Sequence, residues 1–118
     1  MNQQEMQTLL DLLDLNGRVD DLAPAANLAS HGQIDEVVYL RPEGAIRVLE
    51  KFIAGDISAR ELTQWAEVVH SLDTIGVAEE HEDLLIQLLF EISTPELFYE
   101  INAETCSRWI GRLRQAIS

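Results

Sequence analysis

The sequence predicts an all-α fold, a compact bundle of six or seven short helices in one domain spanning residues 1–118. Three observations carry that expectation. Apolar residues recur at three- and four-residue intervals along most of the chain, the period of an amphipathic helix. Glycines and polar capping residues interrupt those runs at helix-length spacing. With 118 residues and 47% hydrophobic content, the chain can also build a core without disulfide or metal staples.

The first helix is expected from about Gln3 to Leu15, with Met6, Leu9, Leu10 and Leu13 at helical spacing and Asn16-Gly17 ending it. A second amphipathic piece carries Val19, Leu22, Ala26 and Ala29, and His31-Gly32 closes it. Pro24 falls inside that piece. Because proline is best tolerated in a first turn, the ordered part is expected to begin near there. Residues 33–40 contain Ile34, Val37 and Val38, which fit either a helical face or a short strand. A lone strand leaves its backbone groups unpaired, so the expectation is a short helix or an irregular link ending at Arg41, which Pro42 holds extended.

Pro42 to about Ala54 reads as a helix whose buried stripe is Ala45, Ile46, Leu49, Phe52 and Ile53. Gly55 follows at the position where a left-handed glycine ends a helix. Ser58 with Glu61 forms a capping box for the next helix, in which Ile57 can staple to Leu62. That helix runs to about Ser71 and buries Leu62, Trp65, Ala66 and Val69. Asp73-Thr74-Ile75-Gly76 reads as a connection. A longer helix from roughly Ala78 to Ile92 is apolar on most sides, with Ile86 and Phe90 beside a face of leucines, and is expected to be central. Thr94-Pro95-Glu96 starts a short helix through Tyr99. Asn102 caps the last one, with Cys106, Trp109, Ile110, Leu113 and Ile117 inward and Arg108, Arg112 and Arg114 towards its C-terminal end, the sign its dipole favours.

Charge is the strongest functional signal. There are 21 acidic residues against 8 basic ones, a formal charge of −13. Such a chain repels nucleic acid and anionic membranes and attracts a basic protein. From Glu61 to Ser107 there is no Lys or Arg at all. Like charges in that number keep a surface solvated at some cost in stability, and they can also steer a basic partner into contact. The expected partner-binding residues are Asp73, Glu79, Glu80, Glu82, Asp83, Glu96 and Glu100.

Other chemistry finds little support in the residues. Aligning Gly17 with the glycine of a calcium loop places Leu12 and Ala23 where the end ligands belong. His81 has Leu85 four positions on, so no HExxH zinc pattern forms, and no Gly-rich phosphate loop occurs. Cys106, the one cysteine, lies on an apolar stripe and reads as a buried thiol; alone, it forms no internal disulfide, which fits a reducing compartment. The first five residues lack the basic and apolar regions of a secretory signal, and no run is long enough to span a bilayer. The expectation is therefore a cytoplasmic, non-enzymatic protein with neither cofactor nor metal. A small helical enzyme with a carboxylate site, and a nucleic-acid mimic or adaptor, are the alternatives.

The run Phe52-Ile53-x-Gly55-x-Ile57-Ser58-x-x-Glu61-Leu62-x-x-Trp65, followed by an acidic helix and an amphipathic C-terminal helix with Trp109, resembles small bacterial immunity proteins. These are helical cytoplasmic proteins that neutralise colicin-like and contact-dependent growth inhibition toxins. The resemblance extends from Pro42 onward. It implies a protein that binds a basic toxin domain, an RNase or DNase, and blocks its active site. The matching positions are structural, so the resemblance transfers no interface residues.

Overall fold

The computed structural model describes residues 2–32 and 35–118. Among them are six α-helices: α1 (Gln3–Asp14), α2 (Val19–Ala29), α3 (Pro42–Ile53), α4 (Ala59–Ser71), α5 (Glu82–Ser93) and α6 (Ala103–Ile117). One-turn 3₁₀ segments at Glu79–His81 and Pro95–Leu97 flank α5. The fold is the mostly helical bundle that the periodicity predicts. Helix α3 packs on α6, α4 on α5, and α1 on α2, and α1 also touches α3 and α4. One continuous cluster of buried apolar residues draws on all six helices.

The corner between α3 and α4 forms from local chemistry. The Asp56 N–H bonds to the Lys51 carbonyl and the Gly55 N–H to that of Phe52, closing α3 in a Schellman motif with Gly55 at φ 85°. The Ser58 hydroxyl accepts the Glu61 N–H at 3.1 Å, while the Glu61 carboxylate accepts the Ser58 N–H at 3.1 Å. Ser58→Ala is expected to cost about 1 kcal/mol by leaving a helix N–H unsatisfied. Gly55→Val should cost more, because a β-branched residue resists a positive φ. Urea denaturation of each variant measures both, and two neutral results would remove this account of the corner.

The end of α1 uses the same motif with a different residue. The Asn16 N–H bonds to Asp11 and the Leu15 N–H to Leu12, and Leu15 itself is left-handed at φ 52°. A left-handed leucine costs about 1–2 kcal/mol. Burial of its side chain, 2% exposed, offsets that. Lys51 completes the join: its ammonium donates to the Asp14 and Leu15 carbonyls at 2.8 Å each, and Arg47 pairs with Asp14 at 2.9 Å. Carbonyls at a helix C-terminus attract cations, so two side chains of α3 hold the end of α1.

Several expectations are corrected. Residues Val38–Leu40 form a strand, β1, and Ile75–Val77 form another, β2, paired in parallel with Val38 opposite Ile75 and Leu40 opposite Val77. The missing partner lay in what reads as a connection, and helices α3 and α4 supply the crossover that parallel pairing requires. Gln33 and Ile34, which belonged to the same expectation, lie outside the described residues. Gly76 permits close packing on this sheet: a Cβ there would sit 2.5 Å from the Glu36 carboxylate and 3.0 Å from the Tyr39 ring. Helix α2 begins at Val19 rather than near Pro24, with Asp20 and Asp21 in its first turn. Pro24 and Asp20 are exposed, so the Asp20 carbonyl that loses a helical donor can turn to water.

The buried faces differ in detail as well. Helix α1 buries Leu9, Leu12 and Leu13, leaving Met6 and Leu10 exposed. Ile53 and Ile117, expected inside, are also exposed, and Phe52 is half-buried. Helix α5 buries Leu85, Leu88, Leu89 and Ile92, but Ile86 and Phe90 face outward. It is a flank of the bundle with an apolar outer side, and not its centre. The segment expected to be helical through Tyr99 is a single 3₁₀ turn ending at Leu97.

Candidate partner-binding surface

All seven acids named from the sequence are exposed. Asp73 stands in the turn before β2. Its neighbour Thr74 is fully buried, shares a 2.5 Å hydroxyl hydrogen bond with Ser30, and accepts the N–H groups of Val37 and Val38 through its carbonyl. That turn is consequently fixed to α2 and to the approach to β1. Beyond β2, the Ala78 N–H donates to the Leu40 carbonyl at 2.8 Å, so sheet bonding continues to the edge of the 3₁₀ turn that carries Glu79 and Glu80. Glu82 and Asp83 occupy the first turn of α5, where the helix dipole stabilises negative charge. These four acids, with His81, Leu84 and Ala116, line one open concavity of about 370 Å³.

Glu96 and Glu100 lie elsewhere. They border a broad open groove of about 610 Å³ whose opposite wall is α4, with Arg60, Thr63, Gln64 and Glu67. The two groups are separated by the length of α5, 12 residues or about 18 Å. The structure therefore gathers Glu79, Glu80, Glu82 and Asp83 at one end of α5, sets Glu96 and Glu100 at the other, and places Asp73 in neither concavity.

Among the described residues, the ion pairs are Arg18–Asp20, Arg47–Asp14 and Arg114–Glu50, so none of the seven acids takes part in an ion pair there. The arginines of α6 are occupied differently. Arg108 lies over the Tyr99 ring at 5.4 Å, Arg112 over Trp109 at 4.1 Å, and Arg114 on Glu50 at 2.9 Å. Their charge remains in place: Arg108 and Arg112 line one concavity with Glu91 and Tyr99, and Arg60 borders the groove of Glu96 and Glu100.

Sequence reasoning missed the apolar residues between the two acidic groups. Leu97, Phe98 and Tyr99 are all exposed, as are Ile86 and Phe90. A signal was present, since one turn of chain between Pro95 and Asn102 cannot direct three consecutive large side chains inward. Among the described residues, no group of three or more His, Cys, Asp or Glu side chains converges as metal ligands would. No helix there is long and apolar enough to cross a membrane.

Cys106 is buried on α6, and burial raises its thiol from 9.0 to about 11. Well below pH 9 the thiol is protonated in both folded and unfolded chains. As pH rises towards 11 the unfolded chain ionises first, so stability falls across that window. Ellman's reagent at pH 8 is expected to react slowly with the native protein and rapidly in urea. Fast native reaction would mean that Cys106 is accessible.

Comparison with protein-family models, with curated proteins and with solved structures found no match to this chain.

Proposed function

We propose that this chain is a non-enzymatic immunity protein that captures a basic toxin domain, a nuclease, and covers its active site. The observation that carries the reading is the exposed acidic surface at the two ends of α5, whose acids form no ion pair among the described residues. A nuclease cleft is basic because it must hold phosphates, so it complements such a surface. Sheet bonding, a helix N-terminus and a 3₁₀ turn hold these acids on ordered backbone, which lowers the entropy lost on binding. The resemblance of the Phe52–Trp65 corner supports the more particular assignment to toxin immunity.

The reading entails a gene for a basic nuclease domain beside the gene for this chain, and the test uses that domain. Its nuclease activity is measured while the chain is titrated in, and inhibition is expected to be complete at one equivalent. Undiminished activity at excess would end the immunity reading.

A further inference from the structure

The acids at the two ends of α5 are joined by an apolar strip. Glu82, Ile86 and Phe90 follow one another at four-residue steps and so lie in one row of the helix surface. Phe90 meets Phe98 edge to face, with ring centroids 5.3 Å apart and planes at 75°. That contact carries the row off the helix and onto the loop bearing Leu97 and Tyr99. Leu97 is 69% exposed and Tyr99 58%. Isolated exposed apolar residues are ordinary, but Ile86, Phe90 and Phe98 follow one another here, with the exposed Leu97 and Tyr99 next to Phe98 in the chain, and such a grouping marks an interaction surface. The loop is also held in place. The Thr94 hydroxyl donates to the Phe90 carbonyl at 2.6 Å, the Leu97 N–H to the Thr94 carbonyl at 3.0 Å, and Arg108 covers Tyr99.

We infer that this strip and the acids at its ends form one docking face, whose occupant is a basic protein surface with an apolar centre. The inference rests on the reading above that the chain captures a basic protein, and it adds where the contact falls. Charge selects the occupant. Glu82 and Asp83 stand at one end with no Lys or Arg in their concavity, and Glu96 and Glu100 at the other, across a groove from Arg60. Glu91, which shares a concavity with Arg108 and Arg112, is not counted among these acids. A second copy of a chain carrying −13 would set acid against acid, and an anionic membrane would be repelled. Basic side chains separated by about the 18 Å length of α5 would meet both acidic ends while apolar ones cover the aromatics. An apolar centre within a charged rim is the arrangement in which interfaces concentrate their binding energy.

The test lets the chain choose its ligand. A random peptide library displayed on phage is panned on the intact protein, and the enriched peptides are synthesised and titrated by amide NMR. Expected are peptides with Lys or Arg flanking Leu, Phe or Trp, which shift the amides of α5 and of residues 94–101. Leu97→Ser and Phe90→Ser should each weaken them roughly ten-fold. Leu28→Ser, at an exposed apolar residue of α2, should change affinity by about two-fold or less. Leu97→Ser is decisive because so exposed a side chain contributes little to folding, and circular dichroism confirms it. Failure to enrich peptides, peptides without net positive charge, or shifts confined to another face would overturn the inference. So would a dimer in sedimentation, or binding to phosphatidylcholine–phosphatidylglycerol vesicles, that Leu97→Ser abolishes. If the neighbouring nuclease is not inhibited while the peptides behave as expected, the immunity reading falls and the docking face stands.

Discussion

Trp65→Ala is expected to be the most damaging single substitution in the chain, lowering stability by about 3–5 kcal/mol. Trp65 heads the fully buried side chains, and its indole N–H donates to the Leu12 carbonyl of α1 at 2.9 Å. One residue of α4 therefore fills the core and ties two helices together. Truncation removes the buried ring and leaves a cavity that the surrounding helices can only partly close. A domain of this kind has roughly 5–15 kcal/mol in total, so the loss is a large fraction of what holds it folded. Trp65→Phe separates the two contributions. It retains much of the volume and removes the N–H, but the Leu12 carbonyl still accepts the Leu15 N–H at 3.0 Å. Its hydrogen-bond cost should consequently be near 1 kcal/mol. Urea unfolding followed by circular dichroism measures both variants. An alanine variant within about 1 kcal/mol of wild type would contradict the packing of α4 against α1.

The second large effect is kinetic. Reversing Glu79, Glu80, Glu82 and Asp83 to lysine changes the charge by two units at each of four sites, from −13 to −5. Electrostatic steering raises association rates by about 10–10³, and this variant should lose most of that gain with the basic toxin domain proposed as its partner. Its rate should also depend less on salt, because the steering field decays over about 10 Å at 0.1 M ionic strength. Some stability will be lost, since Glu82 and Asp83 favour the α5 N-terminus by about 0.3–1 kcal/mol each. Circular dichroism separates that cost from the kinetic effect. Reversing Arg108, Arg112 and Arg114 should alter the rate much less. Stopped-flow association at several salt concentrations decides the matter. An unchanged rate in the lysine variant would mean that these acids only solvate the surface.

The two acidic groups illustrate a limit of reading along the chain. Charge was legible because it is a property of composition, and the gap in Lys and Arg between Arg60 and Arg108 needs no structure to be seen. Grouping was not legible. Glu79 and Glu96 belong to one cation-free interval, yet the whole of α5 stands between their turns. The strip that links the ends depends on which face of α5 the bundle covers. Ile86 and Phe90 have the composition of core residues, and only the packing of α4 on the other side of α5 leaves them outside.

What the sequence by itself determined is whatever neighbouring residues decide. Six helices, the capping box at Ser58, the left-handed Gly55 and the Asn102 cap all follow from interactions within about one turn, and the chain spells these out locally. Tertiary structure alone decided the rest. The pairing of Val38 with Ile75 depends on α3 and α4 as the crossover that brings two distant segments side by side, so neither strand has a local signal strong enough to announce it. Leu15 adopts a conformation suited to glycine because the core receives its side chain and Lys51 holds the adjoining carbonyls. In each case the free energy comes from a distant segment, and no local pattern encodes which segment that will be.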